Sequence, residues 1–474
     1  MKDSPSRHHF IIVGLAVVIL LSLSAVPWSS LTSKTIKDFN LLEDLFPTEK
    51  SSDEVASTES LLDPEIEAFI KEQEEQDTIA APIAPFDSLE VDTIKVETVV
   101  PAKALAEAPV EDGVVLIENY STSTESFPLF KAALAHSQSR LVRIAFLGDS
   151  FIEGDIYTQD FRNMLQDRFG GCGVGYMAMH TDFPGFRKSV RQRDSGWKYR
   201  DIREMSNSDS LRTLSGAYTL VDGNAKTIFD ATDHMSHAAM WERSSFSFIA
   251  PDSGSVTLTT DTGSNTYQVA SSGDLQFLSI DGATKSFKIS SDISGLVSLG
   301  AYLDGKTGVQ VDCMSIRGNA GIAYRKTNVA LCAQQRHWTD YDLIILEFGI
   351  NALTLEQKNY ASYTLAMLQS IKRIKAAYPN ADILLLGISD RGYKDGTTYC
   401  SLPTCQAMVN AQREAAVRSG IHFWDTRAAM GGVNSIVDWR KRNLVNADYI
   451  HLNYAGGAEM ASLLYNSLMK SVDE

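Results

Sequence analysis

Four short apolar runs, alternating with amphipathic helical segments, constrain this chain more than any other feature. They are residues 141–147 (Leu-Val-Arg-Ile-Ala-Phe-Leu), 342–348 (Asp-Leu-Ile-Ile-Leu-Glu-Phe), 382–388 and 420–424. Runs that are apolar at consecutive positions suit strands covered on both faces, as in a parallel sheet. The covering helices are expected at 127–137, 157–168, 360–378 and 455–471. The fold class is therefore α/β, a parallel sheet sandwiched between helices.

The first two runs lie too far apart for a single crossover. Much of that interval, 207–310, is rich in Ser, Thr, Gly and Val, with alternating stretches at 255–260, 266–270, 275–280 and 285–289. This pattern predicts a small β-sandwich inserted into an α/β domain made of residues 114–206 and 311–474.

The N-terminal part is different. Residues 10–28 are almost continuously apolar and follow Lys2, Arg7, His8 and His9. About 18 to 20 apolar residues suffice to cross a bilayer, and basic flanks keep that end in the cytoplasm. Residues 1–29 are expected to be a signal anchor, with the rest of the chain on the extracytoplasmic side. A cleaved signal peptide is the competing reading, although Ser22, Ser24 and Ala25 make a weak cleavage site. Residues 30–113 form an expected acidic, disordered linker. Its stretch 41–113 carries about 20 acidic and about 4 basic residues, which accounts for the whole net charge of −16. The remainder is near neutral and offers no basic patch for nucleic acid.

The five cysteines are Cys172, Cys313, Cys332, Cys400 and Cys405. They are too few for a disulfide scaffold and lack metal-ligand spacing. Cys400 and Cys405 bracket a turn-like sequence, so a bridge and free thiols are both open. His234 and His237, with Asp230 and Asp233, read as a polar loop in preference to a metal site. Trp197, Tyr199, Tyr218 and Trp241 read as core in preference to sugar-stacking residues. No cofactor or metal is expected.

Four short blocks carry the chemistry. Gly148-Asp149-Ser150 follows the first strand and can present a hydroxyl at the start of a helix, where free N–H groups favour negative charge. Arg317-Gly318-Asn319-Ala320-Gly321 supplies a glycine whose N–H can approach a substrate oxygen closely. Gly349-Ile350-Asn351 follows the second apolar run and places an amide donor. Asp448-Tyr449-Ile450-His451 precedes the last helix. Its spacing lets the carboxylate hold imidazole Nδ1–H while Nε2 faces the serine. Each block alone has a commonplace reading as a helix cap or a turn.

Taken jointly and in this order, the blocks resemble the SGNH (GDSL) hydrolase superfamily over about residues 141–470. The resemblance implies a flavodoxin-like sheet and a serine esterase. Ser150 would be the nucleophile, His451 the base and Asp448 its orienter. The N–H groups of Ser150 and Gly318 and the Asn351 side chain would form the oxyanion hole. Two departures stand out: Ala352 replaces an aspartate usual in the third block, and Gly321 competes with Gly318. The stretches 148–155, 173–176, 423–425 and 429–432 further resemble exported bacterial peptidoglycan O-acetylesterases. Some of these also carry an inserted module similar to a carbohydrate-binding domain. The implied substrate is an O-acetylated envelope glycan. An O-acetyltransferase using the same residues, a lipase-like or thioesterase activity, and a non-catalytic glycan-binding protein remain as alternatives. Oligomeric state is not legible.

Overall fold

The computed structural model describes residues 107–206 and 209–474. The expected anchor and nearly all of the expected linker lie outside the described residues. Among the described residues no helix is long and apolar enough to cross a membrane.

The apolar runs become strands β1 (Leu141–Gly148), β3 (Leu343–Glu347), β4 (Asp382–Leu386) and β5 (His422–Trp424). A further strand, β2 (Gly308–Ser315), joins them, and all five run parallel in the order β2-β1-β3-β4-β5. The expected all-parallel sheet needs one correction. The short strand Glu118–Asn119 pairs antiparallel with the outer edge of β5, so the sheet is mixed. Two residues are too few to show any periodicity. What holds this strand is an ion network: buried Glu118 takes the Nε of Arg413 at 2.9 Å, and Arg413 also binds Asp425 at 2.8 Å.

Each strand sends alternate residues to opposite faces. Ala145, Leu147, Ile344, Leu346 and Leu385 join one core with Met367, Ile371 and Met408, from helices Ala361–Ala377 and Cys405–Ser419. Ile144, Phe146, Leu343, Ile345 and Leu384 join the other. There they meet Phe161 and Leu165 of α1 (Thr158–Phe169) and Met460, Leu464 and Leu468 of α2 (Tyr454–Asp473). Both faces are buried, which is why the strands read as continuous apolar runs. Truncating one of these leucines to alanine costs about 2 to 5 kcal/mol.

The insert is one nine-stranded antiparallel sheet folded over its own apolar core, which includes Phe229, Trp241, Phe246, Phe248, Leu258, Phe287 and Ile289. Its limits differ from 207–310. Strands Gly173–Met177 and Val190–Asp201 already belong to it, whereas Gly308–Ser315 is β2 of the parallel sheet. The strand at 190–201 carries six charged side chains, five of them exposed or half-buried, which hides its alternation. Likewise, Val110–Glu111 pairs with Val114–Val115, so the last residues of the expected linker are structured. A buried ion cluster joins insert and sheet. Arg143 of β1 donates to Asp312 of β2 at 2.8 Å and to Asp304 of the insert at 2.5 Å.

Because β2 and β3 flank β1 on opposite sides, the loops after β1 and β3 leave the sheet in opposite directions. A crevice opens at their carboxyl ends, where ligands bind in such sheets. Ser150 and Asn351 lie on those two loops.

Candidate active site

The third component arrives from α2. Asn453 caps this helix by accepting the Gly456 N–H at 3.0 Å. Gly456 and Gly457 then allow the first turn to rest directly on other backbone. A Cβ at Gly457 would lie 1.8 Å from the Ile156 carbonyl oxygen, and one at Gly456 would lie 1.9 Å from that of Leu444. This close approach brings the segment before the helix, residues 448–451, to the nucleophile loop.

There Ser150 Oγ lies 2.9 Å from His451 Nε2, and His451 Nδ1 lies 2.7 Å from Asp448 Oδ2. The other oxygen of Asp448 accepts the N–H groups of Ile450 (2.9 Å) and His451 (3.1 Å). Burial raises the carboxyl pKa, but the His451 hydrogen bond and the two N–H groups outweigh it and hold Asp448 below the usual carboxylate range. Tyr449 sits at φ 56°, a left-handed conformation unusual for this residue type. It is braced from outside. The Gly392 N–H donates to its carbonyl at 2.9 Å, and the Tyr399 ring stacks on its ring at 3.8 Å.

Asn351 is held in the crevice by donating to Asp149 Oδ2 at 2.6 Å and to the Asn319 carbonyl at 3.2 Å. Both amide hydrogens are thus engaged, and a substrate oxygen has to take the place of one acceptor. Of the two competing glycines, Gly321 packs against the Phe348 ring, and its N–H is bound by Asn319 Oδ1 at 2.9 Å. Gly318 has open space around it, with Arg203 Nη1 as its nearest neighbour. The geometry therefore favours Gly318 as the glycine able to face a ligand. Ala352 is buried in the apolar core, where an aspartate would stand among hydrocarbon.

A buried acid pair that has no role in the four sequence blocks lies behind Ser150. Asp149 is fully buried and accepts the Phe151 N–H at 2.9 Å. Burial pushes its pKa up to about 7, against the pull of the Phe151 hydrogen bond and of His451. Glu347, at the end of β3, is 2% exposed, and its Oε2 has no hydrogen-bond partner among the described residues. Burial, and then the neighbouring Asp149 charge, raise its pKa well above the ordinary value. Glu347 is the one acid inside the run 343–347, and that was the available signal.

Other expectations resolve simply. All five cysteines are free, Cys400 and Cys405 included. His237 pairs with Asp167 at 2.7 Å and Asp230 with Arg193 at 2.5 Å. Among the described residues no His, Cys, Asp and Glu group is arranged to hold a metal. Trp197, Tyr218 and Trp241 are core residues, while Tyr199 lines a cavity.

Residues 286–458 match the GDSL-like lipase/acylhydrolase family. This segment contains Gly318, Asn351, Asp448 and His451 but stops short of Ser150, which the fold returns to it across the insert. Over that segment the chain carries a GDSL-like lipase/acylhydrolase domain. Among solved structures, the chain is similar to a peptidoglycan O-acetylesterase at 23% identity and a TM-score of 0.63. The match covers 75% of this chain and 99% of that one. A family two carbohydrate esterase from Cellvibrio japonicus matches at 10% identity and a TM-score of 0.26, covering 60% of this chain and 98% of that one. No curated protein sequence matches the chain.

Proposed function

We propose that the chain is a GDSL-type ester hydrolase that removes O-acetyl groups from peptidoglycan or another acetylated envelope glycan. The carrying observation is the relay from Ser150 Oγ to His451 Nε2 at 2.9 Å and from Nδ1 to Asp448 at 2.7 Å. In the proposed mechanism, His451 takes the serine proton as Oγ bonds to the ester carbon. The resulting oxyanion accepts hydrogen bonds from the N–H groups of Ser150 and Gly318 and from the Asn351 amide. Collapse breaks the bond to the sugar oxygen, which leaves with the proton from His451. Water then attacks the acetyl-serine, with His451 again as base, and acetate is released.

The choice of substrate draws on the fold likeness to a peptidoglycan O-acetylesterase and on the inserted β-module. The apolar run at residues 10–28 supports placing the enzyme at a membrane, tethered on its extracytoplasmic side. The test is acetate release from O-acetylated peptidoglycan compared with other acetylated polysaccharides. Release from neither, by protein whose Ser150 reacts with a fluorophosphonate, would discard the glycan substrate while keeping the esterase. A sugar acceptor that captures the acetyl group faster than water would reassign the enzyme as a transferase.

A further inference from the structure

A cavity of about 370 Å3 opens between the insert and the carboxyl end of β2. Its wall runs from Glu153, three residues past the nucleophile, to Arg317, which precedes Gly318. An acetyl group needs a small fraction of this volume, so the cavity has room for a further part of a substrate. Its wall carries Glu153, His180, Arg187, Asp201, Arg203 and Arg317. These groups are paired with neighbouring side chains, and a fatty acyl chain packed over them would remove their water without offering a hydrogen bond in return. The wall sets these groups beside apolar ones such as Phe183, Phe186 and Met314, which suits an occupant with both polar and apolar faces.

Three features of the wall are built for a ligand. Phe183 is 50% exposed, and its ring lies 4.7 Å from the Arg317 guanidinium. An aromatic face left to solvent at the lip of a polar cleft is a platform for a flat apolar patch, such as the C–H face of a pyranose. The second feature is a pair of arginines, each fixed side-on by a carboxylate. Arg203 gives Nε and Nη2 to Asp201 at 3.0 and 2.7 Å, and Arg317 gives Nε and Nη2 to Glu153 at 3.0 and 2.6 Å. The Nη1 donors of both arginines are left for other acceptors, and that of Arg203 lies beside Gly318. The carboxylates largely cancel the guanidinium charges, which suits neutral carbonyl and hydroxyl oxygens.

The third feature is that the loop carrying Phe183 is anchored to the nucleophile turn. Asp155 binds Arg162 at 2.7 Å, Arg187 at 3.1 Å and Ser189 Oγ at 2.6 Å. Burial would raise the Asp155 carboxyl, but Arg162 and Arg187 hold it well below its usual range. Phe186 meanwhile covers Gly154, where a Cβ would come within 2.6 Å of its ring.

We infer that the insert builds the sugar subsite of the active site itself, with Phe183 stacking on a pyranose ring and the Nη1 groups of Arg203 and Arg317 donating to its carbonyl and hydroxyl oxygens. This inference rests on the glycan reading above and narrows it to an acylated sugar bound across the insert and the hydrolase domain. The sugar is held by its ring face and neutral oxygens.

The experiment measures binding and turnover separately. Disaccharide muropeptide, O-acetylated or base-deacetylated, is titrated into Ser150→Ala protein by calorimetry, alone and combined with Phe183→Ala or Arg317→Gln. Either added change should weaken Kd roughly tenfold, the scale of one aromatic or hydrogen-bonding contact. Val110→Ser, on the distant N-terminal hairpin, should leave Kd in place. Equal Kd values across the series, or no binding by Ser150→Ala alone, would overturn the subsite. Acetate release by the wild-type enzyme decides the glycan-esterase reading independently. Release with an unchanged KM in Phe183→Ala leaves that reading standing and removes this one. Binding without release does the reverse.

Discussion

Replacing the buried acid pair should flatten the pH dependence of stability. In the folded protein Asp149 titrates near 7, whereas an exposed aspartate titrates near 3.8. Between those values the native state holds a proton that the unfolded chain has released, so stability falls as pH rises. One such proton is worth about 1.4 kcal/mol per pH unit. From about pH 5 to about pH 7 the wild-type protein should therefore lose roughly 3 kcal/mol through this pair. Glu347 acts in the same direction, because its pKa is also raised. Since the Asp149 charge also raises the Glu347 pKa, the two are treated as a pair, and both have to be changed. The double variant Asp149→Asn, Glu347→Gln keeps the side-chain volumes and removes both acids. It loses one acceptor for Asn351 or Phe151, but that cost is the same at every pH and drops out of the slope. Urea unfolding at pH 5, 6, 7 and 8 gives the comparison. Matching slopes for wild type and double variant would refute the claim that the pair carries a proton into the native state.

Three further outcomes follow from the site. Ser150→Ala should lower p-nitrophenyl acetate hydrolysis by about a thousandfold or more; undiminished turnover would remove it from the mechanism. Asn351→Ala should lower kcat on the order of a hundredfold, through one lost oxyanion donor, and a change within about twofold in folded protein would exclude that role. Gly457→Ala should push α2 off the Ile156 carbonyl, costing about 1 to 3 kcal/mol of stability and a larger share of kcat than of KM. Wild-type kinetics in this variant would show that the helix does not set the reach of His451.

The α/β class was legible because burial on both faces writes itself as consecutive apolar residues, as in 141–147 and 342–348. The four blocks were legible because each falls at a strand or helix end, where polar residues interrupt those runs. The pairing of Glu118–Asn119 with β5 was hidden, since Arg413 and not a hydrophobic pattern secures it. The insert boundary was hidden for a related reason: the strand at 190–201 is charged on its outer face and imitates a loop. Phe183 and Arg203 escaped notice because nothing local marks a residue that acts across 100 residues of intervening sheet. Asp149 stood inside a quoted block without a role, as its buried setting includes Asn351 from a loop about 200 positions away.

Under the proposed mechanism, the separation of Ser150 and His451 along the chain, 301 residues, also governs when the enzyme can work. During synthesis the serine emerges early, together with most of its sheet, yet it has no base until residues 448–473 are released and dock. Until then the hydroxyl is an ordinary alcohol, so a nascent or prematurely terminated chain is chemically silent toward esters. Activity therefore reports that the whole of the hydrolase domain has been made and packed.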